Sequence, residues 1–342
     1  MTYDKTVTVS LPQRTLGRNL VVSALGYGAM GISEFYGPSD DAASLNLLAE
    51  VEASGISMID TADMYGQGHN EELIGRFIAT RRAELANDRL KIATKCGIDR
   101  RDAGYARSIN NHPAYIRSCC EASLKRLGIE RIDLYYIHRI DPEADIAETM
   151  ECLAELVKEG KIEHVGLCEV SGDTLSRAHS VYPVTALQTE YSLWTRDIEA
   201  DSLPMARELG IGIVPYSPLG RGFLTGRITS TEALAKDDFR RNNPRFRGEN
   251  LTHNLRLVEK VGQVADRHNA TPGQVALAWL LAQDNNIVPI PGTRRSSYLR
   301  ENIGALYLSL SADDLSDLEA FLPINAAHGA RYTEEGMKGI NV

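Results

Sequence analysis

The chain has 342 residues, 43% of them apolar and 24% charged, with a formal net charge of −9. That length holds one large domain or two ordinary ones, and closed barrels take the single-domain option. An acidic surface without a basic stripe argues against nucleic acid as a partner, and no run of about 18 apolar residues predicts a membrane span.

The N-terminal MTYDKTVTVSLPQRTLGRNL lacks the basic-then-apolar pattern of a secretion signal, so a cytoplasmic location is expected. Cysteines 96, 119, 120, 152 and 168 are odd in number and fit neither a disulfide frame nor paired zinc ligands. No metal site is expected. Cys119 and Cys120 fall in a helical pattern and read as reduced packing residues.

In chain order, Val7–Val9 and Leu20–Val22 predict a hairpin within residues 1–20 that covers one end of the fold. Eight strand candidates follow: Val21–Tyr27, Ser57–Asp60, Leu90–Thr94, Ile132–Ile137, His164–Leu167, Ala186–Gln188, Gly212–Tyr216 and Ile287–Ile290. Most are wholly apolar, as parallel strands buried on both faces must be. Amphipathic helices alternate with them. Asn70 before Glu71 and Glu72 reads as a cap. Pro113 opens a helix whose apolar face is Ile116, Cys120, Leu124 and Leu127, and Gly128 closes it. Ile146, Met150, Leu153 and Val157 form another stripe, stopped by Gly160. This alternation predicts a single (β/α)8 TIM barrel over residues 1–342, of the α/β class. The polar stretches 236–254 and 325–342 are expected as loops over the barrel mouth.

Gly26, Gly28 and Gly31 match GxGxxG after a strand, the pattern of a dinucleotide-binding turn. That turn should open directly into a helix, but Pro38 and ten intervening residues (32–41, ISEFYGPSDD) separate the third glycine from the helix start. The segment therefore reads as a first strand-to-helix loop.

Active sites in such barrels lie at the C-terminal ends of strands. Those positions hold Asp60, Lys95 and His138, and Tyr65 follows in the loop after Asp60. Each alone has a structural explanation, as a turn cap, a solvated cation or a packed ring. Together they make a proton donor and its tuners: an ammonium lowers a phenol's pKa, and a carboxylate keeps that ammonium charged. His138 would orient a substrate carbonyl.

These segments also carry a resemblance. IDTADMYG (59–66), TKCG (94–97), LYYIHRID (134–141), VGLCE (165–169), ALQTEYSLWTRD (186–197), YSPLGRGFLTG (216–226) and PGTRRSSYLRENIGA (291–305) resemble the ordered motifs of the aldo-keto reductases. The closest likeness is to the long-chain bacterial, plant and fungal branch. The resemblance implies NADPH-dependent reduction of aldehydes or ketones, with Asp60, Tyr65, Lys95 and His138 as the tetrad and Tyr65 as general acid. It implies that Gly28, Ala29 and Met30 border the cofactor, along with Asp60. Tyr216 would stack on the nicotinamide, while Gln188 and residue 168 would hold its carboxamide. Residue 168 is Cys where the family pattern carries Ser, which puts that anchor in doubt because a thiol is the weaker hydrogen-bond partner.

The backbone from Ser217 and Pro218 through Leu219, Gly220 and Gly222 to Leu224 is expected to cradle the pyrophosphate. Gly292, Thr293, Arg294 and Arg295 at a helix start suit a 2′-phosphate, with Glu301 and Asn302 at the adenine. Phe35, Tyr36, Met64 and Trp194 are expected to line a largely apolar substrate pocket. His69, Arg139 and Arg221 are the cations that could reach an anionic substrate. Two other functions fit parts of the pattern: a nicotinamide-nucleotide-binding regulatory subunit with little catalysis, and a Schiff-base lyase using Lys95 at depressed pKa. The sequence does not specify substrate, direction or oligomeric state.

Overall fold

A computed structural model describes residues 10–81, 90–100 and 108–342. Seven strands form one parallel sheet, here numbered β1 (Tyr27–Gly28), β2 (Met58–Asp60), β3 (Lys91–Cys96), β4 (Ile132–Ile137), β5 (Ile162–Cys168), β6 (Ala186–Glu190) and β7 (Gly212–Tyr216). Each pairs with the next in chain order. The eighth segment closes the barrel without forming a regular strand. Val288 N–H donates to Ile213 O at 2.8 Å, Ile290 N–H to Pro215 O at 3.1 Å, and Gly26 N–H to Pro289 O at 2.9 Å. Pro289 and Pro291 have no N–H to give, so a full ladder cannot form there. The fold is a (β/α)8 barrel.

The first strand is shorter than the apolar run Val21–Tyr27 suggests. Its leading half, Leu20–Ser23, pairs antiparallel with Gln13–Leu16 in the N-terminal hairpin. The Val7–Val9 strand expected for that hairpin lies outside the described residues. Leu16, Leu20 and Val22 plug the barrel, packing in one buried cluster with Met58, Ala93, Leu134, Tyr136, Ala186, Val214 and Val288. Gly212 permits this, because a Cβ there would lie 2.4 Å from Leu16.

The helices wrap the sheet as amphipathic elements, and their ends follow local chemistry. Asp40 accepts from Ala43 N–H at 2.7 Å to start α1 (Asp41–Ala53), well after the glycines of the first loop. The helix α2 (His69–Arg81) begins one residue before Asn70, so Asn70 is not its cap. The Asn70 amide is buried and donates to Ala29 O at 2.9 Å and Ser33 Oγ at 2.7 Å, tying the first loop to α2. The helix α3 (Pro113–Leu127) has proline in its first turn and a left-handed Gly128 after its end, as expected. After α4 (Ile146–Lys158), α5 (Gly172–Val181) and α6 (Ser202–Leu209) comes the long loop after β7. The segment 236–254 is partly helical: short turns at Phe239–Asn242 and Pro244–Phe246 lead into α7 (Gly248–Arg267). The helices α8 (Pro272–Gln283), α9 (Ser296–Gly304) and α10 (Ala312–Phe321) complete the outer layer.

The tail after α10 returns across the mouth. Arg331 and Glu169 form a buried ion pair at 2.9 Å, Asn341 N–H donates to Glu169 O at 2.8 Å, and Ser171 N–H reaches Val342 O at 3.2 Å.

Candidate active site

A cavity of about 950 Å³ opens at the C-terminal ends of the strands. Asp60 ends β2 and Lys95 lies near the end of β3, both almost fully buried. Lys95 Nζ donates to Asp60 Oδ1 at 2.5 Å and to Thr61 O at 2.8 Å, and stands 3.4 Å from Tyr65 Oη. The second carboxylate oxygen of Asp60 accepts from Gln188 Nε2 at 2.7 Å. Tyr65 opens a tight turn in which Gly66 has φ +57°, a conformation that suits glycine. The His138 ring lies edge-on to Tyr65, with centroids 5.9 Å apart, and its backbone N–H is fixed to Cys96 O at 2.7 Å. Tyr65 and His138 face the cavity, and Lys95 lies behind them.

Burial and charge act against each other at Tyr65 and Lys95. Burial raises the Tyr65 phenol above its ordinary value, and Lys95 pulls it only part of the way back. Lys95 lowers it as expected, but withdrawal from water outweighs the ammonium. Tyr65 is thus held protonated, with the Lys95 ammonium 3.4 Å from its oxygen. Burial alone would lower Lys95, but Asp60 and Tyr65 hold it above the usual lysine range. A Schiff-base lysine needs the reverse shift.

At one end of the cavity Gly28, Met30, Cys168, Gln188 and Tyr216 surround the tetrad. Burial pushes the Cys168 thiol up to about 12, so it is a neutral wall group and not a thiolate. The other end is lined by Ser217, Pro218, Leu219 and Gly222 on one side and by Gly292, Thr293, Arg294, Arg295, Glu301 and Asn302 on the other. Gly28 and Gly292 let the first and eighth segments run close together: a Cβ on Gly28 would lie 2.7 Å from Ile290 O. Ser217, Gly220, Arg221 and Gly222 all have positive φ, which coils the backbone into a cradle.

Several expected residues stand elsewhere. Ala29, Gly220 and Leu224 support the wall without lining it, and Leu224 N–H is used by Leu219 O at 3.1 Å. Trp194 is not in the lining either. It stacks on Phe223 at 4.6 Å, beneath Gly220, and meets Phe246 edge-on. Phe35, Tyr36 and Met64 do line the cavity. Arg294 donates to Tyr36 O, Gly37 O and Pro38 O at 2.7, 3.2 and 2.6 Å, clamping the first loop. Arg295 is exposed beside the Tyr298 ring, whose other neighbour is Arg227. Arg227 also pairs with Glu301 at 2.6 Å across the groove. Sequence reasoning missed Arg227, Tyr298 and Tyr332; the Tyr332 hydroxyl meets that of Tyr216 at 2.8 Å.

The Aldo/keto reductase family model matches residues 24–323. The chain belongs to this family. A probable aldo-keto reductase 1 of Glycine max is 46% identical over 313 residues, covering 91% of this chain and 88% of the relative. The aldo-keto reductase yakc of Schizosaccharomyces pombe, named for NADP(+), is 44% identical over 329 residues, 95% of both chains. Among solved structures, a glycerol dehydrogenase from Gluconobacter oxydans superposes with a TM-score of 0.82 at 28% identity, over 91% of this chain and 94% of that one. A thermostable aldo-keto reductase solved with the inhibitor epalrestat gives 0.72 at 30% identity, over 91% of this chain and all of the other. This aldo-keto reductase is thus similar to its relatives along nearly its whole length. Among its described residues no helix is long and apolar enough to cross a membrane, and no cluster of metal-ligating side chains occurs.

Proposed function

We propose that this aldo-keto reductase reduces aldehyde or ketone carbonyls to alcohols with NADPH, Tyr65 acting as general acid. The observation that carries the reading is the chain Asp60–Lys95–Tyr65, which ends in a protonated phenol at the cavity wall beside His138.

The residues fit a dinucleotide. Glycine backbones at 28 and 292 and the positive-φ cradle at 217–222 make a groove between a polar aromatic end and a cationic end. Tyr216 would stack on the nicotinamide, Gln188 would meet its carboxamide, and Glu301 with Asn302 would border the adenine. Arg295, which is exposed and bonds no carboxylate among the described residues, would take the 2′-phosphate with Arg227. The NADP(+) in the yeast relative's name supports the same preference. When bound, the cofactor supplies hydride to the carbonyl carbon.

The chain's own residues do the rest. Tyr65 Oη and His138 hold the carbonyl oxygen, so negative charge develops against two donors. Tyr65 then gives up its proton, and the phenolate is stabilised by Lys95 Nζ, which Asp60 keeps charged and aimed. The apolar walls at Met30, Phe35 and Met64 exclude water from that transfer.

The test follows oxidation of NADPH and of NADH with a panel of aromatic aldehydes, dicarbonyls and bulky ketones, in wild type and Tyr65→Phe. The reading expects turnover with NADPH that falls by about 10²-fold or more in the variant, with cofactor binding retained. Tight NADPH binding with no turnover on any member would defeat it and favour a regulatory, nucleotide-binding role.

A further inference from the structure

Behind the Tyr216 end of the cavity lies a buried group of charges. Arg139, Arg221, Arg245 and Arg331 are each only 5–7% exposed, whereas just two carboxylates, Glu169 and Glu190, are buried among them. Three of the four guanidinium groups are committed. Arg331 pairs with Glu169 at 2.9 Å, and Arg221 with Glu190 at 3.0 Å. Arg245 lies 3.7 Å from Glu190 and donates to Thr195 Oγ1 at 2.5 Å. Asp197, the nearest further acid, stands 3.8 Å from Arg331 with its side chain 41% exposed.

Arg139 is different. Its Nη1 donates to the carbonyl of the adjacent His138 at 3.0 Å, its Nε has no partner, and no carboxylate pairs with it among the described residues. The Glu169 carboxylate and the Tyr216 and Tyr332 phenols are its electrostatic neighbours, but Glu169 is held by Arg331. The backbone of Arg139 is fixed separately, by Asn111 Nδ2 on its carbonyl at 3.0 Å. Its side chain lines the same cavity as Tyr65, His138 and Tyr332. Glu335 lines that cavity too, and it pairs with Lys338 at 2.8 Å.

Burial works against the Arg139 cation, but the Tyr216 and Glu169 groups around it more than offset that, so the guanidinium stays charged although no carboxylate is bonded to it among the described residues. At a cavity wall that arrangement is what an anion site requires. The other two cations that the sequence suggested for an anionic substrate are spent. His69 bonds Ser33 and Asp41 outside the cavity, and Arg221 holds Glu190 beneath the Tyr332 ring. With one Nη1 bond to His138 O, Arg139 keeps further N–H groups, and a planar guanidinium edge matches one carboxylate.

We propose that Arg139 is a specificity-determining residue that binds a carboxylate on the substrate, so that oxo acids and carboxylate-bearing aldehydes are the favoured carbonyl compounds. This rests on the reductase reading above. It narrows the expectation of a largely apolar pocket with three candidate cations to apolar walls and one cationic anchor, Arg139.

The test compares 4-carboxybenzaldehyde with its methyl ester, and 4-oxobutanoate with its methyl ester, in wild type, Arg139→Gln and Arg139→Lys. Wild type is expected to favour at least one acid over its ester. In Arg139→Gln the acid-to-ester ratio of kcat/KM should fall about tenfold to a hundredfold, with Arg139→Lys between. An unchanged ratio in the glutamine variant, or a wild-type preference for both esters, overturns the assignment. A second measurement needs neither turnover nor a variant: calorimetric titration of wild type plus NADP+ with benzoate and with benzamide. Saturable binding of benzoate well above that of benzamide is expected, and equal or absent binding overturns the proposal even if both protein variants fail to fold. If neither acid nor ester is reduced although NADPH binds, the reductase reading fails, and the benzoate titration still decides the role of Arg139.

Discussion

Gln188 Nε2 donates to one oxygen of Asp60 at 2.7 Å while Lys95 Nζ holds the other at 2.5 Å. The amide proposed to meet the nicotinamide is therefore bonded directly to the carboxylate proposed to orient Lys95. Gln188→Leu would leave a buried carboxylate oxygen unpaired, at about 1–3 kcal/mol of stability. The variant should also lose about tenfold in kcat and bind NADPH more weakly. Urea unfolding, steady-state kinetics and fluorescence titration check the three effects, and loss of stability alone would disprove the coupling.

Arg294 and Arg295 are adjacent but unlike. Because Arg294 is bonded to three carbonyls of the first loop and Arg295 faces solvent, their alanine variants should differ. Arg295→Ala should weaken NADPH binding about tenfold or more while changing NADH binding little. Arg294→Ala should disturb both nucleotides alike by loosening the first loop. Identical discrimination ratios in the two variants would refute this division of roles.

The tail is held by charge. Arg331→Leu leaves Glu169 buried at the end of β5 with its main partner gone, at a cost of about 3–5 kcal/mol. The double variant Arg331→Leu with Glu169→Leu should be more stable than that single variant, since it removes the orphaned charge. Limited proteolysis should cut the single variant within 323–342 much faster than wild type. Equal cutting rates would mean that the tail is held by its backbone bonds instead.

Asp63 gives a pH signature. Burial and the nearby Glu71 push its carboxyl up to about 8. In the unfolded chain it ionises near ~4, so between those values the folded state binds the extra proton and stability falls as pH rises. Asp63→Asn lacks this titration. Wild type should therefore lose at least about 1 kcal/mol relative to the variant between pH 5 and pH 8, by urea unfolding. Parallel profiles would show that Asp63 is solvated.

Much of the fold was legible because wholly apolar runs ending in polar residues mark buried parallel strands, and Asp60, Lys95 and His138 sit at such ends. What failed depends on partners distant in the chain. Trp194 follows a strand as a pocket residue would, yet Phe223 and Phe246 draw it into the wall. At Tyr65 the lowering by Lys95 is readable from a motif, whereas the burial that outweighs it is not. Arg331 and Tyr332 stand in a polar stretch whose partners, Glu169 and Tyr216, lie more than a hundred residues earlier. Leu20–Ser23 and Tyr27–Gly28 are equally apolar, so nothing in composition marks the turn between hairpin and barrel.

The irregular eighth segment also makes the barrel unequal around its circumference. Between β7 and β1 it is joined by a few hydrogen bonds, and the groove from Gly28 to Gly292 lies along that join. A molecule filling the groove would bridge the first and last parts of the chain like a rivet across a seam. Its binding energy would then be felt as slowed opening of the whole cylinder, with amide exchange suppressed at 26–28 and at 287, 288 and 290, far from the reacting carbonyl.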